Sequence, residues 1–309
     1  MKDLVVVKKE NLIEEFLTNY TSENTRKAYR KDILDFFNFF RNQGIQLSHP
    51  IEITHDFLIN YRDHLIQSMT PASVHRKVIS IKKLLDWCIY KQHIQINPAS
   101  VLRLPKNTPT NPTLALSDEE ASAFLRAPDA SSFYGNLHLM ILSSLLILGL
   151  RRSELVNIKL KDIYQDRGHE VLKIRGKGDK TRYIPLNRII THYLSDYKNT
   201  YTKLSGNELL LEDYLLQSRL SEKNDKPYDA DSIRKVIIRY TKKLKINKRI
   251  SPHSFRATTI SHLLEIGESP RNVADFAGHA NINTTISLYD KKRDNLENSS
   301  AYKVMFGNK

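Results

Sequence analysis

Cysteine is almost absent from this 309-residue chain, which contains only Cys88. That rules out a disulfide framework and a thiolate-ligated zinc cluster. Cys88 stands between Trp87 and Ile89, where a core position is expected. Long hydrophobic runs are missing as well. The longest, Leu137 to Leu150, is interrupted by His138, Ser143 and Ser144. It is too short to span a bilayer and predicts a buried helix. The N-terminal MKDLVVVKKE has only a brief apolar run and no small-residue cleavage site, so it does not read as a signal peptide. There is no internal repeat, no low-complexity tract, no H-E-x-x-H spacing and no carboxylate cluster suited to a two-metal nuclease. The expectation is a soluble, cytoplasmic protein with no metal and no cofactor.

Acidic charge is also in short supply. Lysine and arginine number 48 against 34 aspartates and glutamates, a formal net charge of +14. Such an excess calls for a polyanionic partner, with nucleic acid first and an anionic membrane surface second. The charge is not a detachable arm, because residues 1–105 carry a net +4 and residues 106–309 a net +10. The densest block, Arg234 to Arg249, has eight basic residues and no acidic one. It fits either a solvated helix face or a nucleic-acid surface.

What is present is ample material for packed cores, 40% hydrophobic residues, at a length that suggests two domains. The first ninety residues read as helices. In SENTRKAYRKDILDFFNFF, Ser22 or Asn24 supplies a cap, and Tyr29, Ile33, Phe36, Phe37 and Phe40 recur every three or four residues. A second helix is predicted over His55 to Gln67, with Phe57, Leu58, Tyr61 and Leu65 inward. A third opens at Thr70-Pro71 with Val74, Val78, Ile81, Leu85 and Cys88 inward and Arg76, Lys77, Lys82 and Lys83 outward. The four prolines between Asn97 and Pro112 predict an extended linker. Beyond it, Ser117 with Glu120 forms a capping box. Glu170–Arg175 and Thr181–Leu186 alternate around a glycine-containing turn and predict a β-hairpin. The fold class is therefore mainly α with a small β-sheet or hairpin (α+β).

Four segments place a cationic, imidazole or phenol side chain beside a structural punctuator: Gly149-Leu150-Arg151 with Glu154 near it, Lys177 on the hairpin turn, Pro252-His253 with Arg256, and Gly278-His279 followed by Tyr289. Each alone is a weak signal. Lys177 also fits an ordinary solvent-facing turn, and Tyr289 is one of fifteen tyrosines. Taken together and in order, they resemble the tyrosine recombinase, or phage integrase, family, including its Xer-like and mobile-element members. LGLRRSELVNIKLKDI looks like the family's first arginine box and IRGKGDKTRYIPL like its lysine hairpin. ISPHSFRATTISHLL resembles the second box, and FAGHANINTTISLYD the closing histidine–tyrosine segment.

The resemblance implies a helical-bundle core-binding domain over residues 1–96, a linker over 97–115 and a catalytic domain over 116–309 with a tail over 290–309. It implies two domains lying on opposite sides of double-stranded DNA at an inverted-repeat site, and self-association to a dimer and then a tetramer. The tail is expected to dock into a neighbouring protomer. Tyr289 would be the nucleophile and form a 3′-phosphotyrosine. Arg151 and Arg256 would clamp the phosphate oxygens, Lys177 would protonate the leaving oxygen, His253 would assist proton transfer and His279 would hydrogen-bond the phosphate. Glu154 is expected to orient an arginine. Two features depart from the pattern: Ala257 stands where many relatives carry histidine, and the spacing from His279 to Tyr289 is ten, where nine is also common. Two alternatives stay open at this point, topoisomerase IB-like relaxation and a catalytically silent DNA-binding regulator.

Overall fold

The computed structural model describes residues 9–106, 114–176 and 180–290, with backbone alone at 9–10 and 287–290. The chain divides into two compact units, residues 1–112 and 113–309. The fold is mostly helical with one small antiparallel sheet.

The first unit comprises α1 (Lys9–Thr18), α2 (Glu23–Arg41), α3 (His55–Ser68) and α4 (Pro71–Tyr90). Ser22, Thr54 and Thr70 cap the last three, each side-chain oxygen accepting a backbone N–H that the first turn leaves unpaired. The core joins Ile33, Phe36, Phe37 and Phe40 of α2 to Leu58, Tyr61 and Leu65 of α3 and to Val74, Val78, Ile81, Leu85 and Cys88 of α4. α1, which the periodicity does not single out, adds Leu12, Ile13, Phe16 and Leu17.

Lys77 departs from the expected outward position: it is buried at 6% exposure. Counting from Val74 by three and to Ile81 by four puts position 77 on the apolar stripe of α4. The cation is tolerated there because α2 presents two carboxylates. Lys77 Nζ pairs with Asp35 and lies 3.5 Å from Asp32 Oδ1, while Arg76 pairs with the other Asp32 oxygen. Residues 97–106 also differ from a free linker. Ala99 is buried, Leu102 and Leu104 pack on the helical core, and His75 and His55 hydrogen-bond the carbonyls of Pro105 and Pro98. The rest of that stretch, 107–113, lies outside the described residues.

The second unit contains α5 (Asp118–Arg126), α6 (Phe133–Leu146), α7 (Arg152–Leu155), β1 (Ile163–Asp166), β2 (His169–Arg175), β3 (Thr181–Pro185), α8 (Arg188–Ser205), α9 (Ala230–Lys243), α10 (Pro252–Glu265), α11 (Pro270–Ala277) and α12 (Asn283–Asp290). The Ser117–Glu120 capping box opens α5 as expected. α6 is buried along its length apart from Tyr134 and ends at Leu146, earlier than the apolar run does. Leu148 and Leu150 stay buried in the turn that follows. The strands pair in the order β1-β2-β3, all antiparallel, with Ile174 opposite Arg182. β1 carries no alternation to read, because three of its four residues are exposed.

The basic block divides by helix face. Arg234, Lys235, Arg239 and Lys242 are exposed on α9, opposite buried Ile233, Val236, Ile237 and Tyr240. Lys243 is tied to the Ala127 carbonyl and Lys248 to Glu120. Among the described residues no helix is long and apolar enough to cross a membrane.

The chain's one tryptophan, Trp87, lies in the first core and reports on it. Replacing Lys77 by Met leaves Asp32, fully buried, with Arg76 alone. The expected loss is about 3 kcal/mol, the low end for breaking a buried ion pair because one partner remains. Denaturant unfolding followed by Trp87 fluorescence measures it, and an unchanged midpoint would show the pair to be dispensable.

Candidate active site

The site is built around a carboxylate. Gly149 takes a left-handed φ of +57° just after α6, turning the chain so that Arg151 leads into α7. Glu154, 7% exposed, reaches back, and its Oε2 accepts the Arg151 backbone N–H at 2.8 Å. Its Oε1 accepts Arg151 Nη1 at 2.8 Å. A second arginine, Arg182 of β3, places Nη1 on Oε1 and Nη2 on Oε2, each at 2.9 Å. Burial by itself would raise the Glu154 pKa, but the hydrogen bonds from Arg182 and Arg151 hold it at about 2.

Sequence reasoning passed over Arg182. The signal was present in the strand parity: Arg182 lies across from buried Ile174 and two residues before buried Ile184, so the alternation puts it inward. Its guanidinium lies against Gly278, where a Cβ would sit 2.9 Å from Nη1. Gly278 also has φ +65° as the C-cap of α11, a conformation that favours glycine.

Arg256, on α10, is 5% exposed. Thr259 of the same helix donates to the Leu146 carbonyl at 2.6 Å, pinning α10 to the end of α6. The Arg256 guanidinium donates to the carbonyls of Gly149 and Ala277. Arg151 Nη2 donates to the Gly278 carbonyl at 2.8 Å. Ala277 and Gly278 end α11, where carbonyls lack helical partners and the helix dipole is negative. Two guanidiniums are thus held largely by dipoles. Burial lowers the Arg256 pKa to about 10, with Arg151 adding like-charge repulsion, and it remains cationic. Ala257 is buried within α10.

His279 follows the α11 cap, and its Nδ1 lies 2.8 Å from Thr285 Oγ1. Burial first, then Arg256 and Arg151, bring its pKa down to about 4. His253, in the first turn of α10, keeps solvent access. Desolvation, followed by Arg256, Arg151 and Arg152, lowers its pKa too.

Arg151, His253 and Arg256 line one open cavity of about 220 Å³ with Leu150, Arg152 and Pro252. His279 feels the same two arginines. Three guanidiniums against one carboxylate leave the site cationic, suited to the oxygens of an anion. Tyr289 lies on α12, which packs against α10 and α11; its side chain is outside the described residues. Lys177 is outside them as well, in the sequence between β2 and β3; on either side of it, the Gly176 N–H donates to the Lys180 carbonyl at 2.8 Å.

Residues 115–295 match the model of the phage integrase family, and residues 13–92 that of the phage integrase N-terminal SAM-like domain. The chain belongs to the phage integrase family. It is 29% identical over 282 residues to the tyrosine recombinase XerD of Staphylococcus aureus, covering 89% of this chain and 92% of that one. Among solved structures, its fold is similar to the XerH site-specific recombinase bound to palindromic difH substrate (TM-score 0.71, 19% identity, 97% and 91% of the two chains). It is similar as well to a lambda integrase tetramer bound to a Holliday junction (TM-score 0.71, 15% identity, 96% and 81%).

An imidazole with its ordinary pKa of 6.5 takes up a proton more readily than folded His279 at about 4. The unfolded chain therefore binds more protons between those values. The contribution of His279 is complete above about pH 6.5 and is lost as the pH falls toward 4. His279→Asn is expected to flatten the fall of the thermal midpoint across that window. An unchanged slope would place the titration elsewhere.

Proposed function

We propose that this chain is a site-specific DNA recombinase that cleaves and rejoins double-stranded DNA through a 3′-phosphotyrosine intermediate, exchanging strands by way of a Holliday junction without metal or ATP. The observation that carries the reading is the convergence of Arg151, Arg256 and His253 on one open cavity, with both guanidiniums anchored by backbone carbonyls. Family membership and the likeness to recombinases solved with DNA support it.

In this reading the Tyr289 phenolic oxygen attacks the scissile phosphorus, forming a tyrosine–phosphate bond as the bond to the 5′-oxygen breaks. His253, its pKa lowered by burial and then by the neighbouring guanidiniums, assists removal of the phenolic proton. Lys177 delivers a proton to the departing 5′-oxygen. Arg151 and Arg256 hold the non-bridging oxygens as charge builds on them, and His279 adds a hydrogen bond. The ester energy is kept in the covalent link, so a 5′-hydroxyl reverses the step. The partners are an inverted-repeat DNA site and further copies of this chain, two per site and four in a synapse. The workplace is the cytoplasm. The exposed cations of α9 contact backbone phosphates, with a salt slope of about 0.9 log units per phosphate neutralised.

The test starts from a duplex selected out of a randomised library by the Tyr289→Phe protein. On a nicked version of it, the native chain is expected to form a denaturant-resistant protein–DNA adduct and Tyr289→Phe none. Arg256→Lys, which keeps the charge but loses the fork, should slow the adduct by about 10²-fold. A plasmid bearing two such sites should yield deletion or inversion products. Absence of any adduct on a duplex that the protein binds specifically would overturn the reading, and relaxation without exchanged products would mark a topoisomerase.

A further inference from the structure

We propose that Arg182 is a positioning residue for the cleavage reaction. It occupies the Glu154 carboxylate so that Arg151 stays free to turn to the phosphate, and it fastens the β2–β3 hairpin to that same carboxylate. The inference rests on the recombinase reading above and adds to it a residue outside the six that the family resemblance assigns.

The two arginines meet Glu154 differently. Arg182 makes the full fork, Nη1 on one oxygen and Nη2 on the other, both at 2.9 Å. Arg151 gives the carboxylate only one side-chain nitrogen and turns the other to the Gly278 carbonyl. The Arg182 side chain is 13% exposed and that of Arg151 32%, so Arg182 lies deeper while Arg151 faces the cavity. Forked pairing is the stronger arrangement. Without Arg182, a carboxylate buried to 4% side-chain exposure keeps Arg151 as its only cationic partner among the described residues. Arg151 would then be drawn into the fork, and its charge would be spent on Glu154.

The same side chain joins three segments. It is the second residue of β3, across from Ile174, with Glu154 of α7 at its tip and Gly278, the cap of α11, against its flank. The hairpin it fastens has Lys177 in the sequence between its two strands. Packing does not account for an arginine here. Its Nε–H is buried without a partner among the described residues, a cost that an apolar side chain of similar length would avoid. The charge is what the position requires.

The experiment measures the single-turnover rate of adduct formation on the selected nicked duplex, with affinity read separately in the Tyr289→Phe background. Arg182→Gln is expected to lower the rate ten- to a hundredfold while the dissociation constant stays within about threefold, both measured at a temperature where the variant is folded, since loss of the fork on a buried carboxylate also lowers the thermal midpoint. Arg182→Lys, which keeps the charge but cannot span both oxygens, should fall between Arg182→Gln and the native chain, and it serves if the glutamine variant does not fold. Glu154→Gln should also slow the reaction. The double variant should be no slower than the slower single one, because both act through one contact. Three results would overturn the proposal: Arg182→Gln or a folded Arg182→Lys reacting at the native rate, a double variant losing the product of the two single losses, or rate and affinity falling in equal proportion. Failure of the native chain to form an adduct would instead overturn the recombinase reading.

Discussion

The Glu154 carboxylate is a buried anion in a site whose other charges await an anion. A lone buried carboxylate costs several kcal/mol in lost hydration, so it demands cations with good geometry. It draws them from different parts of the chain: Arg151 from three residues upstream and Arg182 from 28 residues downstream. Satisfying one carboxylate therefore fixes the start of α7, the register of β3 and, through Gly278, the end of α11. Gly149 and Gly278 belong to the same constraint, since both adopt positive φ and one gives up its Cβ space to Arg182.

How the remaining guanidinium bonds are made decides what the site is able to do. Carboxylates at every arginine would have neutralised the cavity. Instead, Arg256 and the second nitrogen of Arg151 rest on carbonyls at a turn and at a helix C-terminus. Dipoles orient a guanidinium without cancelling its charge, so the field is set before any anion arrives. Burial first, and the same field after it, lowers the pKa of both histidines, that of His279 to about 4. A neutral imidazole donates or accepts one proton without adding to the charge already assembled.

Much of this was legible in the sequence because much of it is local. Caps at Ser22, Thr70 and Ser117 act over three residues, and the stripes on α2, α3 and α4 repeat every three or four. Family text brought Arg151, His253, Arg256 and His279 forward together, and the structure brings these four into one electrostatic neighbourhood. What escaped was non-local. Arg182 and Lys77 are inward by the parity of their elements but polar by type, and their partners lie 28 and 42 residues away. β1 escaped because an exposed edge strand has no buried face to impose alternation.

Those two buried cations use the same chemistry for different ends. Lys77 meets Asp32 and Asp35 on a face that α2 and α4 close over, and the pair's effect is confined to how these helices dock. Arg182 meets a carboxylate that also holds Arg151, and Arg151 opens on a cavity. A buried ion pair complete in itself is a structural device, one that an apolar pair of similar volume can replace. A pair that shares its anion with a third, solvent-facing group is a control on that group, because any change in one partner's hold alters the charge the other presents. By that criterion Arg182 belongs with the chemistry of the second unit, and Lys77 with the architecture of the first.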